Sequence, residues 1–290
     1  MQLQKKLTAG EFVVLAEMEP PKGTDTVAMI ANAWAVKGKV DAFVIPEMSN
    51  AVMKMSSLGG ALLLQSRGLE TVLQVCCRDR NRLALQGDLL AAQALGVPNV
   101  MAVAGEEITH GDHHKARAVY DLDLPELLGA LQMLQSGRDM AGVDLQGSPN
   151  FFVGSTMKVT PRGEAWDKEL AELDQKIAAG AGFFVTQPIF DPGSLAKLQD
   201  SLDARRAAVI PTVLLLKSVG MAKYINRHMD MKIPEEFINR IQKAPERVRE
   251  CVQIAGELVS AFKAQGCPGV NISTIGWEDK LPGILAAAGI

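Results

Sequence analysis

"FVVLAEMEPPKGTDTVAMIANAWAV", residues 12–36, is one complete strand–loop–helix unit, and its reading decides the fold. Residues 12–16 form an unbroken apolar run, as expected of a strand buried on both faces. The run ends at Glu17 and Glu19, then meets Pro20 and Pro21, which fix an extended exit and withhold backbone N–H groups. Thr24 and Asp25 are good N-cap types, so a helix is expected over 24–36. The unit therefore sets two carboxylates at the mouth of a core strand.

The same pattern recurs along the chain. Apolar runs at 42–45, 71–76, 100–104, 151–154, 183–186, 209–215 and 270–274 are each followed by helix-period sequence. The helix expected over 81–95 stops at Gly96, and that over 164–179 stops at Gly180. Helices over 218–227, 234–244 and 245–265 form a block before the last strand. Eight strand–helix units in 290 residues predict an α/β fold, a (β/α)₈ TIM barrel, with residues 1–290 as a single domain. A doubly wound sheet is the alternative. It calls for a glycine-rich phosphate turn after the first strand, and the chain has neither G-x-G-x-x-G nor G-x-x-x-x-G-K-[ST].

Composition narrows the function. A net charge of -3 argues against a nucleic-acid surface. No window reaches the roughly 18 apolar residues of a membrane span, and residues 1–12 lack the apolar stretch of a secretory leader. The four cysteines form no C-x-x-C, so reduced thiols in a cytoplasmic protein are expected, and no metal or iron–sulfur site. His110, His113 and His114 lack a matching carboxylate or cysteine pattern and read as a polar loop. Met48, Met53 and Met55, at near-helical spacing, are expected in the core.

Barrel chemistry gathers where strands end. That places Glu17, Glu19, Pro46, Glu47, residues 77–81, Gly105, Glu106, residues 154–158, Gln187, residues 215–218 and Thr274 at the mouth. The 106–123 loop is longer than a connection needs. Taken alone, Glu17 also reads as a solvated strand-end charge, Gln187 as a satisfied strand-end amide and Glu106 as a loop charge. Arg78, Arg80 and Arg82 suit a polyanion or, equally, a solvated helix start beside Asp79.

Seven collinear motifs go further: EMEPPKGTD (17–25), NAVMKMSSL (50–58), CCRDRN (76–81), GDHHKARAVYDLD (111–123), AGAGFFVTQPIFD (179–191), LLLKSVGMAKY (214–224) and TIGWEDKLPGIL (274–285). Together they resemble the methylenetetrahydrofolate reductase family, especially the short form of anaerobic bacteria. The resemblance implies a flavin-bearing barrel, with FAD or alternatively FMN, that reduces 5,10-methylenetetrahydrofolate to 5-methyltetrahydrofolate. The electron donor would be NAD(P)H or a reduced iron–sulfur partner protein, and the chain would work as a homo-oligomer or in a hetero-complex. Carried over residue by residue, Glu17 is the acid. Gln187, Glu106 and Glu19 lie toward folate, and Lys176, Tyr120, Gln74, Gly105 and Ser155 toward the flavin. Departures fall in the same pocket: Pro46, Gln74 and Ala104 replace a threonine, a histidine and an arginine of other members, and Val219 stands where some carry a folate-stacking aromatic. Those departures motivate two rivals, a non-catalytic folate-binding barrel serving as a subunit of a methyl-transfer assembly, and a related flavin oxidoreductase with another partner.

The chemistry is explicit. The one-carbon unit bridges N5 and N10 of the folate, and opening to an N5 iminium requires a proton on N10. A carboxylic acid that stays protonated near neutral pH supplies it. Two residues apart on a strand, Glu17 and Glu19 lie roughly 6–7 Å apart, so Glu19 is expected to help keep Glu17 protonated. With no Rossmann turn, a nicotinamide would be a transient visitor, and ping-pong kinetics follow if one flavin face serves both half-reactions.

Overall fold

A computed structural model describes residues 2–159, 163–203, 205, 207–229 and 231–290. Eight strands run in chain order: β1 Val13–Glu17, β2 Ala42–Ile45, β3 Thr71–Cys76, β4 Asn99–Val103, β5 Phe152–Met157, β6 Phe183–Pro188, β7 Ala208–Leu214 and β8 Gly269–Ser273. Each pairs in parallel with the next, and β1 pairs with β8, closing the barrel. The predicted (β/α)₈ barrel is therefore the observed fold. β2 and β3 have the expected bounds, and the other strands differ from theirs by one to three residues at an end. Glu17 is the last residue of β1, so the prolines stop the chain three residues beyond it rather than at the strand end.

Alternation along each strand sorts side chains into two layers. Val14, Ala16, Phe43 and Ile45 face outward and pack beneath the helices. Val13, Leu15, Val44, Val72, Met101, Phe183, Val185 and Ile210 fill the interior. Phe183 and Phe152 meet at 5.0 Å between ring centroids, and a Cβ on Gly154 would stand 2.2 Å from the Phe183 ring. Glycine is what lets a phenylalanine occupy the barrel axis at that level.

The two barrel ends are built differently. At the N-terminal end the short helix Gln2–Thr8 inserts fully buried Leu3 into the interior cluster. The Glu70 carboxylate accepts from the N–H groups of Gln2 (2.8 Å) and Leu3 (3.0 Å) and from Asn99 Nδ2 (3.0 Å). A carboxylate on the free N–H groups of a first turn stabilises a helix by roughly 0.5–2 kcal/mol. Asp41 adds a second tie, accepting from Lys6 Nζ (2.6 Å) and the Val14 N–H (2.7 Å).

At the C-terminal end the strand-to-helix loops surround an open cavity of about 470 Å³. One of these loops overturns an expectation. Met48, Met53 and Met55 are not core residues: they lie in the 46–56 connection, Met53 is 44% exposed, and the others are half-buried. Met48, Asn50 and Ala51 there adopt positive φ, a costly backbone for non-glycine residues that clusters at functional sites. Asp112, from the long 106–123 loop, pins this segment by accepting from the Met53 N–H (3.0 Å) and pairing with Lys22.

Candidate active site

The floor of the cavity is a polar chain crossing four strands. Inward-facing positions near the ends of β1, β8 and β7 carry Glu17, Ser273, Asn271 and Thr212. Ser273 Oγ hydrogen-bonds Glu17 Oε2, and Asn271 Nδ2 donates to Glu17 Oε1 (3.1 Å) and to Thr212 Oγ1 (3.2 Å). Thr212 Oγ1 in turn donates to the Thr186 carbonyl (2.7 Å). No lysine or arginine pairs with Glu17 among the described residues. Burial raises the Glu17 pKa above the ordinary carboxylate range, outweighing the Ser273 and Asn271 hydrogen bonds that lower it. The negative charges of Glu278 and Glu106 raise it further.

Glu19 does not play the part expected of it. Its carboxylate pairs with Lys54, and the charges acting on Glu17 come from elsewhere in the chain. The physical reason is that Glu19 lies beyond the strand end, where the loop takes it to a cation. Glu278, by contrast, is 8% exposed with Oε1 buried and unpartnered, and burial pushes its pKa up too.

Above the floor, the arginines are committed to the chain's own carboxylates. Arg78 is 1% exposed and forks onto Asp79 through Nε (2.8 Å) and Nη2 (2.7 Å). It also reaches the Glu106 carbonyl (3.3 Å) and carboxylate (3.4 Å) and the Met48 carbonyl (3.3 Å), tying together the loops after β2, β3 and β4. Arg80 bridges Glu47 (3.3 Å) and Asp88 (2.9 Å), and Arg82 holds Asp121 (3.0 Å). They are clamps on the rim rather than a polyanion site.

The remaining expected residues divide. Gln74 and Glu106 line the cavity with Glu17 and Glu19. Gln187 is not among the lining residues: its amide accepts from the Val159 N–H (2.9 Å) and donates to the Val159 carbonyl (2.8 Å). A register shift between Val185 and Pro188 breaks the alternation that would have turned Gln187 inward. Ser155 faces the outer layer, fully buried, donating to the Ala102 carbonyl (3.0 Å), whereas its neighbour Thr156 lines the cavity. Lys176 donates to the Thr156 carbonyl (2.9 Å) and borders a separate cleft of about 340 Å³ between the helices Leu124–Gln135 and Glu164–Ala178. Gly105 has φ +94°, and a Cβ there would lie 2.3 Å from Cys76 Sγ, so it serves a tight turn against β3. Tyr120 is half exposed, with φ 41°.

These placements test the implied flavin. Gln74 Oε1 accepts from the Glu47 N–H (2.8 Å), which leaves Nε2 as a donor on the cavity side, beside Met101 and Thr156. A flavin ring, planar with acceptor edges, fits that donor and that wall. The flavin contacts implied for Lys176 and Ser155 do not fit, since neither lines the mouth cavity and their polar ends are already bonded to backbone carbonyls.

Sequence reading missed Asn271, Ser273, Thr212 and Tyr224. For the three strand residues the signal was present: polar side chains at inward positions of otherwise apolar strands.

The fold and floor define a class: a closed parallel barrel with a buried carboxyl of raised pKa at the C-terminal end of its strands, paired with no lysine or arginine among the described residues. The profile of the methylenetetrahydrofolate reductase family matches residues 2–289, and the chain belongs to that family. Among relatives, a probable methylenetetrahydrofolate reductase (NADH) of Oryza sativa is 24% identical over 319 residues, covering 100% of this chain and 50% of the relative. The methylenetetrahydrofolate reductase 2 of Schizosaccharomyces pombe is 21% identical over 193 residues, 63% of this chain and 29% of the relative. A probable methylenetetrahydrofolate reductase (NADPH) of Caenorhabditis elegans is 21% identical over 258 residues, 84% and 36% of the two chains. The chain thus spans half or less of the length of these curated relatives. Among solved structures, an uncharacterized Clostridium thermocellum protein that binds two copies of 5-methyl-5,6,7,8-tetrahydrofolic acid superposes with a TM-score of 0.67 at 15% identity, covering 99% of this chain and 98% of that one. An EDTA monooxygenase from Chelativorans superposes at 0.56 with 10% identity, covering 96% and 94%. At these identities the likeness is one of fold.

Proposed function

We propose that this chain reduces 5,10-methylenetetrahydrofolate to 5-methyltetrahydrofolate at the barrel mouth, with Glu17 as general acid. The observation that carries the reading is a buried carboxyl on the cavity floor, held by Ser273 and Asn271 and paired with no lysine or arginine among the described residues. Family membership and the methylated folate named for the Clostridium neighbour support the substrate class.

In the first step Glu17 gives its proton to N10, and the bond between the bridging carbon and N10 breaks. The electron pair of that bond stays on N10 and the carbon becomes an N5 iminium. Hydride then adds to that carbon and leaves an N5 methyl group. Ser273 and Asn271 hold the carboxyl in place, and once Glu17 is ionised both donate to it. The carboxylate is thus stabilised without a countercharge and is ready to be reprotonated. Glu106, on the same cavity, accepts hydrogen bonds from the substrate's pterin edge. A flavin bound with its ring against Gln74 would supply the hydride. A nicotinamide donor, carried over from the names of the rice and nematode relatives, would reduce it. Four free, buried cysteines suit a cytoplasmic setting.

One observation favours a second reading. Lys176 and Ser155 turn away from the mouth, which suits a folate-binding barrel without its own flavin, acting as a subunit in a methyl-transfer assembly. The absorbance spectrum of the purified protein separates the two: oxidised-flavin bands support the reductase, and colourless protein that binds folate supports the subunit. Stopped-flow absorbance of wild type and Glu17→Gln, each half-reaction run separately, tests the acid. Normal reoxidation of the variant by methylenetetrahydrofolate would sink it.

A further inference from the structure

The helix Val27–Ala35 and its two neighbours around the barrel, Ser57–Gln65 and Leu281–Ala287, carry no charged residue, in a chain that is 22% charged. The helix Glu164–Ala178, by contrast, carries seven in 15 residues. The three uncharged helices are adjacent because β8, β1 and β2 are, and a Cβ on Gly60 would stand 3.2 Å from Met29 Cε. Met29 and Ala33 of the central helix are buried against the barrel. The opposite arc, Val27, Ala28, Ala31, Trp34 and Ala35, is exposed, Val27 by 73% and Trp34 by 46%. A helix that is apolar all round is one that is covered all round.

The order of residues on that arc says what covers it. Taking Ala31 as the centre, Ala28 and Trp34 lie three residues to either side, and Asp25 and Lys37 lie six to either side. The arc is thus complementary to its own reverse. Laid antiparallel on a second copy, each Trp34 falls on the other copy's Ala28, where a small side chain leaves room for it. Each Lys37 falls opposite the other copy's Asp25. Asp25 precedes the helix and Lys37 follows it, and both are exposed. Lys37 Nζ stands 3.9 Å from the centroid of the Trp34 ring, so the ring and the charge are presented together. Antiparallel pairing also sets each helix N-terminus beside a C-terminus, which the helix dipoles favour.

We infer that this flank is an isologous dimer interface, in which the helix Val27–Ala35 pairs antiparallel with the same helix of a second copy. An unrelated partner has no reason to carry a small residue opposite Trp34 and a charge of the right sign at each end. A second copy carries them by symmetry. The inference is independent of the reaction proposed above.

Sedimentation velocity of the full chain, over a concentration series at low ionic strength, decides. Wild type is expected to dimerise. Ala31→Glu sets two carboxylates against each other beside the twofold axis and should weaken the dimer roughly tenfold or more. Asp25→Lys and Lys37→Glu should each weaken it roughly three- to tenfold, because like charges then face at both ends of the helix pair. Mixed in equal amounts, those two variants should dimerise again, because opposite charges face at both ends of the mixed pair. All three positions are exposed, so each variant should keep the circular dichroism of wild type. Monomeric wild type overturns the inference and leaves the face to a different protein. A dimer indifferent to Ala31→Glu overturns it too, since it forms through another face. Charge variants that dimerise as wild type does, or whose mixture regains nothing, overturn the antiparallel pairing.

Discussion

The floor and the rim of the barrel mouth treat carboxylates in opposite ways. On the rim, Asp79, Glu106, Glu47, Asp88 and Asp121 each stand against an arginine, and Glu19 stands against Lys54. On the floor, Glu17 has a serine, an asparagine and the charges of two other glutamates near it. A carboxylate beside a cation is tied into the rim network, where it fastens loops together. One that is buried among neutral donors has its pKa raised, which is what the proposed acid role of Glu17 requires. The contrast teaches that the number of acids at a barrel mouth says little about chemistry, whereas the absence of a countercharge around one of them says a good deal.

Four expectations put the contrast at risk. The largest effect belongs to Glu17→Gln, which should lower folate-dependent turnover by about 10²–10⁴-fold, with flavin reduction by the donor retained. Pre-steady-state rates of the two half-reactions check this. Next, Arg78→Met removes the buried centre of the rim network and leaves carboxylates facing one another. It should destabilise the protein by about 3 kcal/mol, read by urea denaturation. A smaller effect follows from linkage. The Glu17 pKa is raised in the fold, so its contribution to stability is fully present below the unfolded-state value and is lost as pH rises through the folded value. The Tm of Glu17→Gln should therefore gain on that of wild type as pH rises across this window. The activity of wild type should fall over the same range, and Glu106→Gln should move that fall to lower pH by removing a charge that holds the proton on. Smallest of all is Glu19→Gln, which should leave the pH profile of turnover where it is. If it shifted the profile as Glu106→Gln does, Glu19 and not the distant acids would be governing Glu17.

Hydrophobic patterning made the barrel legible, because eight strands buried on both faces read as eight apolar runs. The place of Glu17 at the strand end was legible too, but its burial was not, since a solvated strand-end charge reads the same in sequence. Ser155 and Thr156 show the limit. Choosing between them requires the phase of alternation, and the run at 151–154 stops short of both. Gln187 failed differently: its strand carries a register irregularity, and nothing in T-Q-P announces that the amide will fold back onto residue 159. Lys176 was assigned by correspondence alone, and its long side chain instead reaches a carbonyl of β5.

The helix Gln2–Thr8 gives the catalytic end a constraint of its own. The barrel interior is packed with side chains down to Leu3 at the opposite pole, so among the described residues the cavity holding Glu17 opens only at the strand ends, beside Tyr224, Glu106 and the 46–56 loop. Traffic through one doorway is serial. Under the proposed reaction, a spent folate must leave before the electron donor can take its turn, and product inhibition competitive with the donor is the expected outcome, read by initial-rate kinetics.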